Sequence, residues 1–348
     1  MALPTDPLAA PVVHALDFSA WKRSVVRQCF PGKRVVFIAN ASAVPADGVL
    51  AVWGMKPVAG APAPGVRVVR LEDGFLRSVG LGADLIQPMS WVLDSRGMYY
   101  DATRPSDIEH LLAESDFTAK KLARAAALRQ RIVAAGITKY NVGSSGWLRP
   151  GGAGKVILVP GQVESDASLA YGAPVIRTNI EMLQAVRQAN PEAYIVYKPH
   201  PDVMAGLRAK GAGEDEARQW CDEQVVDIDM GILLAAVDEV HVLTSLAGFE
   251  ALLRGRAVSC YGQPFYSGWG LTRDIVPNPR RNRRLPLDAL VAAALIDYPL
   301  YLSRTGNALI TPEQALDELL VWRAKAGDSV SWRRLCFRLF LRLVVGVR

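Results

Sequence analysis

The sequence has few of the residues that redox, disulfide and metal sites need. Only four cysteines and four histidines occur among its 348 residues, and no cysteine stands in a CxxC pair. Scattered cysteines of this kind are typical of reduced structural thiols. The Asp227-Ile-Asp229 segment has the spacing of a metal-binding DxD motif, but its neighbours are apolar, so we interpret it as structural. We therefore expect no cofactor and no essential metal.

Long apolar runs are also missing. No stretch reaches the roughly 18 uncharged apolar residues that cross a bilayer, so we expect no membrane-spanning segment. Residues 1–20 contain neither a cationic start nor an unbroken apolar core, which argues against a secretory signal and predicts a cytoplasmic protein. Hydrophobic residues still make up 50% of the chain and charged residues 21%, a balance that suits two folded domains.

The excess of positive over negative charge is concentrated at the C-terminal end. The formal net charge is +6, and five arginines within the last 16 residues account for most of it. The rest of the chain has no basic surplus to follow a phosphate backbone, so we expect no nucleic-acid partner. Arg334, Arg338 and Arg342 repeat every four residues among apolar positions. Such a helix is predicted to lie in an anionic membrane interface, with a packed or partner-binding helix as the alternative.

Two series of strands and helices follow each other along the chain. Apolar runs predict parallel strands in the first half at 34–40, 48–53 and 66–71, and in the second half at 156–159, 193–197, 238–243 and 257–261. Amphipathic or capped segments predict helices at 108–137, 179–189, 245–254 and 311–324. The glycine-rich stretch 143–154 separates the two series.

This order predicts an α/β protein with two Rossmann-like domains that face each other across a cleft, the glycosyltransferase-B arrangement. We assign residues 1–146 to the first domain, residues 154–310 to the second, and residues 311–348 to C-terminal helices that include the basic segment.

Polar residues that follow the predicted strands are the candidate site residues, because ligands of open α/β sheets bind beyond the carboxyl ends of the strands. Glu164 and Asp166 are a carboxylate pair that could divide nucleophilic or acid–base roles, with an N-cap and a loop acid as the alternative. Lys198 and His200 in Lys-Pro-His-Pro are two potential cations for a phosphate group.

Two further groups follow strands in the same way. Thr244 and Ser245 begin a predicted helix whose N-terminus suits a nucleotide phosphate, and Glu250, one turn later, is available for ribose hydroxyls. In the first domain, Glu72-Asp73 and Arg77 could bind an acceptor or a sugar carboxylate, with a strand-terminal salt bridge as the alternative.

Together these segments resemble the capsule-polysaccharide β-Kdo transferase family of Gram-negative bacteria. The motifs that carry the resemblance are Glu72-Asp-Gly-Phe-Leu-Arg-Ser-Val-Gly-Leu-Gly82, Tyr99-Tyr-Asp-Ala-Thr103, Thr138-Lys-Tyr-Asn141, Gly161-Gln-Val-Glu164, Lys198-Pro-His-Pro-Asp202, Thr244-Ser-Leu-Ala-Gly-Phe-Glu250 and Tyr261-Gly-Gln-Pro-Phe-Tyr-Ser-Gly-Trp-Gly270. They run in order through roughly residues 34 to 302, and motifs of this length are specific. The family's enzymes build a β-Kdo linker on a glycerophospholipid, and the familiar capsule enzyme carries two such modules where this chain shows one.

The resemblance implies transfer of Kdo from CMP-β-Kdo to a lipid-linked or glycan acceptor, with retention of anomeric configuration, at the inner membrane. It implies Asp166 as nucleophile with support from Glu164, and it implies that His200 and the Ser245 turn hold CMP. We predict His200 as a third catalytic residue, and Gln162, Lys198, Thr244 and Glu250 as further donor-binding residues in the second domain. The first domain would be the acceptor side. Two alternatives are another CMP-activated nonulosonic acid, such as a sialic acid, as the donor sugar, and a non-catalytic scaffold of capsule assembly.

Overall fold

The structure is a computed structural model that describes residues 10–80, 86–141, 143–144, 146–306 and 308–326. Two β-sheets with flanking helices face each other, as the glycosyltransferase-B prediction required. The strands of the first half are β1 Val12–Leu16, β2 Arg34–Ile38, β3 Val49–Trp53, β4 Arg67–Asp73 and β5 Ser90–Asp94. Those of the second half are β6 Val156–Pro160, β7 Tyr194–Lys198, β8 Glu223–Gln224, β9 Glu239–Val242, β10 Ala257–Cys260 and β11 Arg273–Asp274, followed by β12 Pro299–Leu302 and β13 Leu309–Ile310.

The helices pack on the faces of the two sheets and between them. They are α1 Ala20–Gln28, α2 Asp107–Glu114, α3 Ala119–Ala134, α4 Ala167–Gly172, α5 Asn179–Ala189, α6 Pro201–Met204, α7 Met230–Ala236, α8 Leu246–Leu253, α9 Leu287–Ala292 and α10 Pro312–Ala326. Helix α9 continues into a π-helical turn, Ala293–Asp297. Within the described residues, no helix has both the length and the apolar composition that a bilayer crossing requires.

The second sheet has the strand order of a dinucleotide-binding fold. Its six strands are all parallel and run in the order β11-β10-β9-β6-β7-β8. The order reverses between β6 and β9, and such a switch point leaves a crevice at the carboxyl ends of the two strands, where ligands bind. The residues that follow β6 and β9 are therefore placed to meet a ligand.

The first sheet is mixed, with the order β13-β12-β5-β4-β3-β1-β2. Strands β2, β1, β3 and β4 are parallel and have their own switch point between β1 and β3. Strands β5, β12 and β13 complete the sheet with antiparallel pairings.

The first sheet also changes the predicted domain boundaries. Strand β12 pairs with β5, with Tyr301 opposite Ser90. Strands β12 and β13 therefore belong to the first sheet, although the sequence prediction assigned all of 154–310 to the second domain. The pairing partner lies some 200 residues earlier in the chain, beyond the reach of a local pattern.

The two halves share an apolar core beneath the cleft. One buried cluster contains residues from both sheets, among them Val92 of β5 and Leu158 of β6. Phe75, after β4, stacks on Phe265 of the second half with ring centroids 4.5 Å apart. Helix α3 packs against α9 in the same layer. The halves are therefore joined through apolar contacts as well as through the chain.

Several predicted element boundaries follow from local capping. The Thr311 side chain accepts a hydrogen bond from the Gln314 N–H and the Gln314 side chain accepts one from the Thr311 N–H, which confirms the predicted capping box of α10. The predicted helical region 108–137 is two helices, because Thr118 caps α3 separately. The basic helix predicted at 331–348 lies outside the described residues.

Candidate functional site

A cleft of about 530 Å³ lies between the carboxyl ends of the two sheets. Its first wall contains residues that follow β1, β3 and β4, and its second wall contains residues that follow β6, β7 and β9. Of the residues predicted from the sequence, eight line it: Glu72, Asp73, Arg77, Gln162, Asp166, His200, Thr244 and Ser245. The fold thus brings residues from all four predicted groups into one space.

Glu72 is the carboxylate of the first wall whose protonation depends most on its surroundings. It ends β4, and its Oε2 accepts a hydrogen bond from the Tyr100 hydroxyl at 3.4 Å. Burial raises the pKa of Glu72 to about 7, and the adjacent Asp73 carboxylate and the more distant Asp166 add to the shift. A carboxyl group with this pKa exchanges protons near neutral pH.

Arg77 and Asp73 form the strand-terminal salt bridge that was the alternative interpretation. Arg77 Nε lies 2.7 Å from Asp73 Oδ2, and the arginine is only 4% exposed. Arg77 also donates to the Ser78 hydroxyl at 2.9 Å. The pair still lines the cleft, so it gives the first wall a fixed arrangement of charge.

Asp166 lies on the opposite wall, at the start of α4. It is half-buried, and its Oδ1 accepts a hydrogen bond from the Ser168 N–H at 3.1 Å, as an N-cap does. It also interacts electrostatically with Glu72, Tyr99 and His200. Asp166 therefore caps α4 and lines the cleft at the same time, since capping uses Oδ1 and leaves the second carboxylate oxygen available.

Glu164, in contrast, does not line the cleft. Its two oxygens accept hydrogen bonds from the Asn179 N–H at 2.8 Å and from the Ala212 N–H at 3.0 Å. Gly211 lies directly over the carboxylate, where a Cβ would collide with Glu164 Oε1. This carboxylate therefore stabilises the start of α5 and the 211–212 loop. It does not lie in the cleft, where the resemblance implied that it supports Asp166.

Gln162 and Thr244 join the two strands at the switch point of the second sheet. The Gln162 amide donates to Thr244 Oγ1 at 2.9 Å and accepts from the Thr244 N–H at 2.9 Å. Asn179 fixes the Gln162 backbone from the other side, since its Oδ1 accepts from the Gln162 N–H at 2.9 Å. These reciprocal bonds hold the crevice open and leave the Thr244 hydroxyl hydrogen free to face a ligand.

His200 caps α6 and faces the cleft as a neutral ring. Its Nδ1 accepts a hydrogen bond from the Asp202 N–H at 3.1 Å, so the proton of the neutral ring is on Nε2. Burial lowers the pKa of His200 to about 4, and the nearby Lys139 charge lowers it further. The predicted cation at this position is thus a neutral hydrogen-bond donor, because the site is buried and already positive.

A narrow recess of about 140 Å³ opens from the second wall. It shares His200 and Ser245 with the cleft and adds Lys198 and Glu250. Lys198 donates to the Val226 carbonyl at 3.0 Å, and burial lowers the pKa of its ammonium. Glu250 is 7% exposed, accepts from the Lys139 N–H at 2.6 Å, and has its pKa raised to about 7 by burial.

The DxD segment has a structural role at Asp229. Its Oδ1 accepts hydrogen bonds from the Gly231 and Ile232 N–H groups and so caps α7. In the part of the chain that the structure describes, no three His, Cys, Asp or Glu side chains converge as metal ligands.

Several cleft residues were missed by the sequence interpretation. Lys22, Trp53, Lys139 and Tyr140 line the cleft from the first half of the chain, and Arg208 lines it from the second half. Residues 138–141 lie within one of the motifs of the family resemblance, so a signal for them existed. Lys22 lies beyond the carboxyl end of β1, as Asp73 lies at the carboxyl end of β4. Because ligands bind at the carboxyl ends of strands, Lys22 would have been a candidate had β1 been recognised as a strand.

Comparisons with known proteins give a consistent family. Residues 55–144 and 118–303 match the family described as "Capsule polysaccharide biosynthesis protein". The capsule polysaccharide modification protein LipA of Neisseria meningitidis serogroup A is 42% identical over 335 residues, which cover 93% of this chain and 48% of LipA. The lipopolysaccharide-processing protein LpsZ of Rhizobium meliloti is 40% identical over 308 residues, 84% of this chain and 70% of LpsZ. The chain spans about half the length of LipA.

Two solved structures share the fold. The β-Kdo 2,7 transferase of Thermosulfurimonas dismutans KpsC has a TM-score of 0.75 and 40% identity, with 89% of this chain and 98% of that chain covered. The β-Kdo 2,4 transferase of the same protein has a TM-score of 0.77 and 32% identity at the same coverage.

Proposed function

Because the chain belongs to the capsule polysaccharide biosynthesis protein family, we propose that it is a retaining β-Kdo transferase that uses CMP-β-Kdo. The acceptor is a lipid-linked or glycan chain of a surface polysaccharide. The observation that carries this proposal is the 40% identity to a β-Kdo 2,7 transferase over 98% of that chain. The cleft supports it, since Glu72 and Asp166 lie on facing walls and the adjoining recess, although mostly apolar, contains Lys198, His200 and Glu250.

The proposed reaction consists of two displacements at the anomeric carbon of Kdo. The Asp166 carboxylate attacks this carbon, the bond to the CMP phosphate oxygen breaks, and CMP leaves with the bonding electron pair. The acceptor hydroxyl then attacks from the face that CMP has left, gives its proton to Glu72 and releases the Asp166 carboxylate. Two inversions retain the configuration. Glu72 suits the proton transfer because its pKa, about 7, is close to neutral pH.

CMP occupies the second wall in this proposal. Its phosphate lies beside His200 and Ser245, where His200 Nε2–H donates a hydrogen bond and the N-terminus of α8 favours negative charge. The nucleoside enters the recess, where Glu250 accepts from the ribose hydroxyls and Lys198 adds positive charge. No metal is required for this arrangement, because the departing phosphate meets the His200 Nε2–H donor and the N-terminus of α8, with the positive charge of Lys198 nearby.

The linkage is proposed to be 2,7. The two solved transferases match the backbone equally well, with TM-scores of 0.75 and 0.77, but their identities are 40% for the 2,7 enzyme and 32% for the 2,4 enzyme. Since backbone similarity does not separate them, the higher sequence identity to the 2,7 enzyme supports this linkage.

The protein is also proposed to act at the cytoplasmic face of the inner membrane, where lipid-linked acceptors are found. The arginine-rich segment 331–348 supplies the attachment in this proposal. This segment lies outside the described residues.

One assay tests the activity. The purified chain is incubated with a Kdo-terminated acceptor and either CMP-Kdo, generated in place, or CMP-sialic acid, and products are analysed by mass spectrometry and NMR. The expected product carries one added β-Kdo, linked to position 7. Product from the sialyl donor alone would reject the Kdo proposal, and no product from either donor by folded protein would favour a scaffold.

A further inference from the structure

We propose that Lys22 and Trp21, in the first turn of α1, form an acceptor subsite that binds the carboxylate of an acidic terminal sugar. The inference rests on the proposed function, because this subsite serves the same transfer. It concerns the acceptor rather than CMP-Kdo, since both residues lie on the wall opposite the recess.

Aromatic rings fix the geometry of the subsite. Lys22 Nζ lies 2.8 Å from the centroid of the Trp53 ring and 5.2 Å from that of Trp21. Trp53 in turn meets buried Trp91 edge to face, with centroids 5.4 Å apart. The ammonium is therefore held at the cleft surface by a cation–π contact that leaves its outer hydrogens available.

The charge of Lys22 is not satisfied by a carboxylate of the protein. None of the described carboxylates forms an ion pair with it, whereas Arg77, the other first-wall cation, is paired with Asp73. Burial lowers the pKa of Lys22 to about 8, while Asp73 and Glu72 partly offset the shift. A half-buried ammonium that has no carboxylate within ion-pair distance is stabilised when an anion binds beside it.

Trp21 supplies the surface on which a sugar ring can rest. It is 39% exposed, one of few large apolar side chains in the described chain that remain open to solvent, and it lines the cleft next to Lys22. Indole faces pack against the C–H face of a sugar. The pair thus fits a sugar with one apolar face and a carboxylate, such as Kdo, better than a neutral hexose.

The subsite lies near Glu72, and this position allows it to orient the acceptor for the reaction. Glu72 interacts electrostatically with Lys22 and accepts the acceptor proton in the proposed reaction. A carboxylate bound at Lys22 would orient the sugar so that one hydroxyl group faces Glu72. The subsite therefore selects the acceptor and contributes to the choice of hydroxyl.

The test compares two acceptors on three proteins. The acceptors are a Kdo-terminated glycoside and its methyl ester, which lacks the negative charge; the proteins are wild type, Lys22→Gln and Lys120→Gln. Lys120 is an exposed lysine of α3 outside the cleft and serves as the control. We expect Lys22→Gln to lower kcat/KM for the acid about 10- to 100-fold through KM, and to change the ester less than about 3-fold.

Two measurements separate the possible failures. CMP release in the absence of acceptor should be equal in wild type and Lys22→Gln, and Trp21→Ala should weaken both acceptors alike. If Lys22→Gln lowers kcat/KM equally for the acid and the ester, or lowers it for neither, the proposed subsite is wrong while the transfer activity itself stands. Absence of CMP release and of product in folded wild type would instead reject the transferase, and this subsite with it.

Discussion

At the residue scale, the carboxylates of Glu72 and Asp166 differ because their surroundings differ. Asp166 stands at the start of a helix, accepts a backbone N–H and is half open to solvent. Glu72 ends a strand, lies beside Asp73 and has its pKa raised to about 7 by burial. Such a pair can provide one nucleophile and one group that exchanges protons near neutral pH.

Asp166→Asn is expected to lower turnover by about 10³-fold or more, because the amide cannot form the sugar ester. Asparagine caps a helix as well as aspartate does, so the unfolding temperature should stay within about 3 °C of wild type. Steady-state transfer and thermal unfolding measure the two effects. Turnover close to wild type would remove Asp166 from the nucleophilic role.

Glu164→Gln is the matched comparison for Asp166→Asn. Its carboxylate holds two backbone N–H groups away from the cleft, so the variant should lose about 1–3 kcal/mol of stability and keep transfer within a few-fold at low temperature. A loss of turnover in stably folded Glu164→Gln would restore the catalytic support that the resemblance implied.

Glu72→Gln tests the proton transfer through its pH dependence. Because the pKa of Glu72 is about 7, its basic form increases as pH rises through 7, and wild-type transfer should rise over about pH 6 to 8. The variant should be slower by about 10²-fold or more and should lack this rise. Release of CMP in the first half-reaction should persist. An unchanged pH profile in Glu72→Gln would assign the ionisation to another group.

Cleft residues could be predicted where the strand before them was recognised from the sequence, and could not be predicted where that strand was missed. The residues after β4, β6, β7 and β9 were found, whereas Lys22 was missed because the short strand β1 was not identified. Glu164 shows a second limit. Sequence places it two residues from Asp166, but only the folded 211–212 loop explains why its carboxylate is turned away from the cleft.

At the element scale, the predicted elements are those with strong local signals. Helix α5 has the predicted bounds 179–189, because Thr178 and Glu181 form a capping box, and seven predicted strands occur within a few residues of their expected positions. The missed elements depend on distant partners. Strand β12 begins with Pro299 and is stabilised by pairing with β5, a contact that its own four residues do not encode.

Deletion of residues 331–348 is expected to release the protein from anionic vesicles. Arginines near such a surface contribute about 1 kcal/mol each, and this attraction weakens with added salt. Activity on a short water-soluble acceptor should remain, because every described cleft residue precedes this segment. Vesicle sedimentation and transfer assays measure the two effects. Continued sedimentation, or unfolding of the truncated chain, would show that the segment is a packing element.

At the scale of the whole molecule, a buried ionic cluster connects the two halves. Glu109 of α2 is 6% exposed and accepts from Arg280 Nε at 2.7 Å and from Arg281 Nε at 3.0 Å. Arg281 also donates to Pro264 and Ser267 in the second half. Arg280 and Arg281 lie in the segment that leads back to the first sheet. Their contacts therefore connect this segment both to the cleft wall and to α2.

Glu109→Gln is expected to lower the free energy of unfolding by about 3–5 kcal/mol, because the buried Arg281 guanidinium loses its counter-charge and the more exposed Arg280 loses an ion pair as well. Glu313→Gln is the control, since Glu313 also joins two elements by pairing with Arg124 but is more exposed, and it should cost less than about 1 kcal/mol. Urea unfolding at fixed pH compares the variants. Equal losses in the two would show that burial does not control the strength of these pairs.

The pairing of β12 with β5 has a consequence for protein synthesis. The ribosome releases β5 first and β12 only after the whole second sheet has emerged, so the edge of β5 stays unpaired while the intervening domain folds. Chains arrested before Pro299 should hold a protease-resistant second domain and a protease-sensitive first one. During that interval the nascent chain exposes a strand edge that another chain could join, so prompt completion of translation protects it from aggregation.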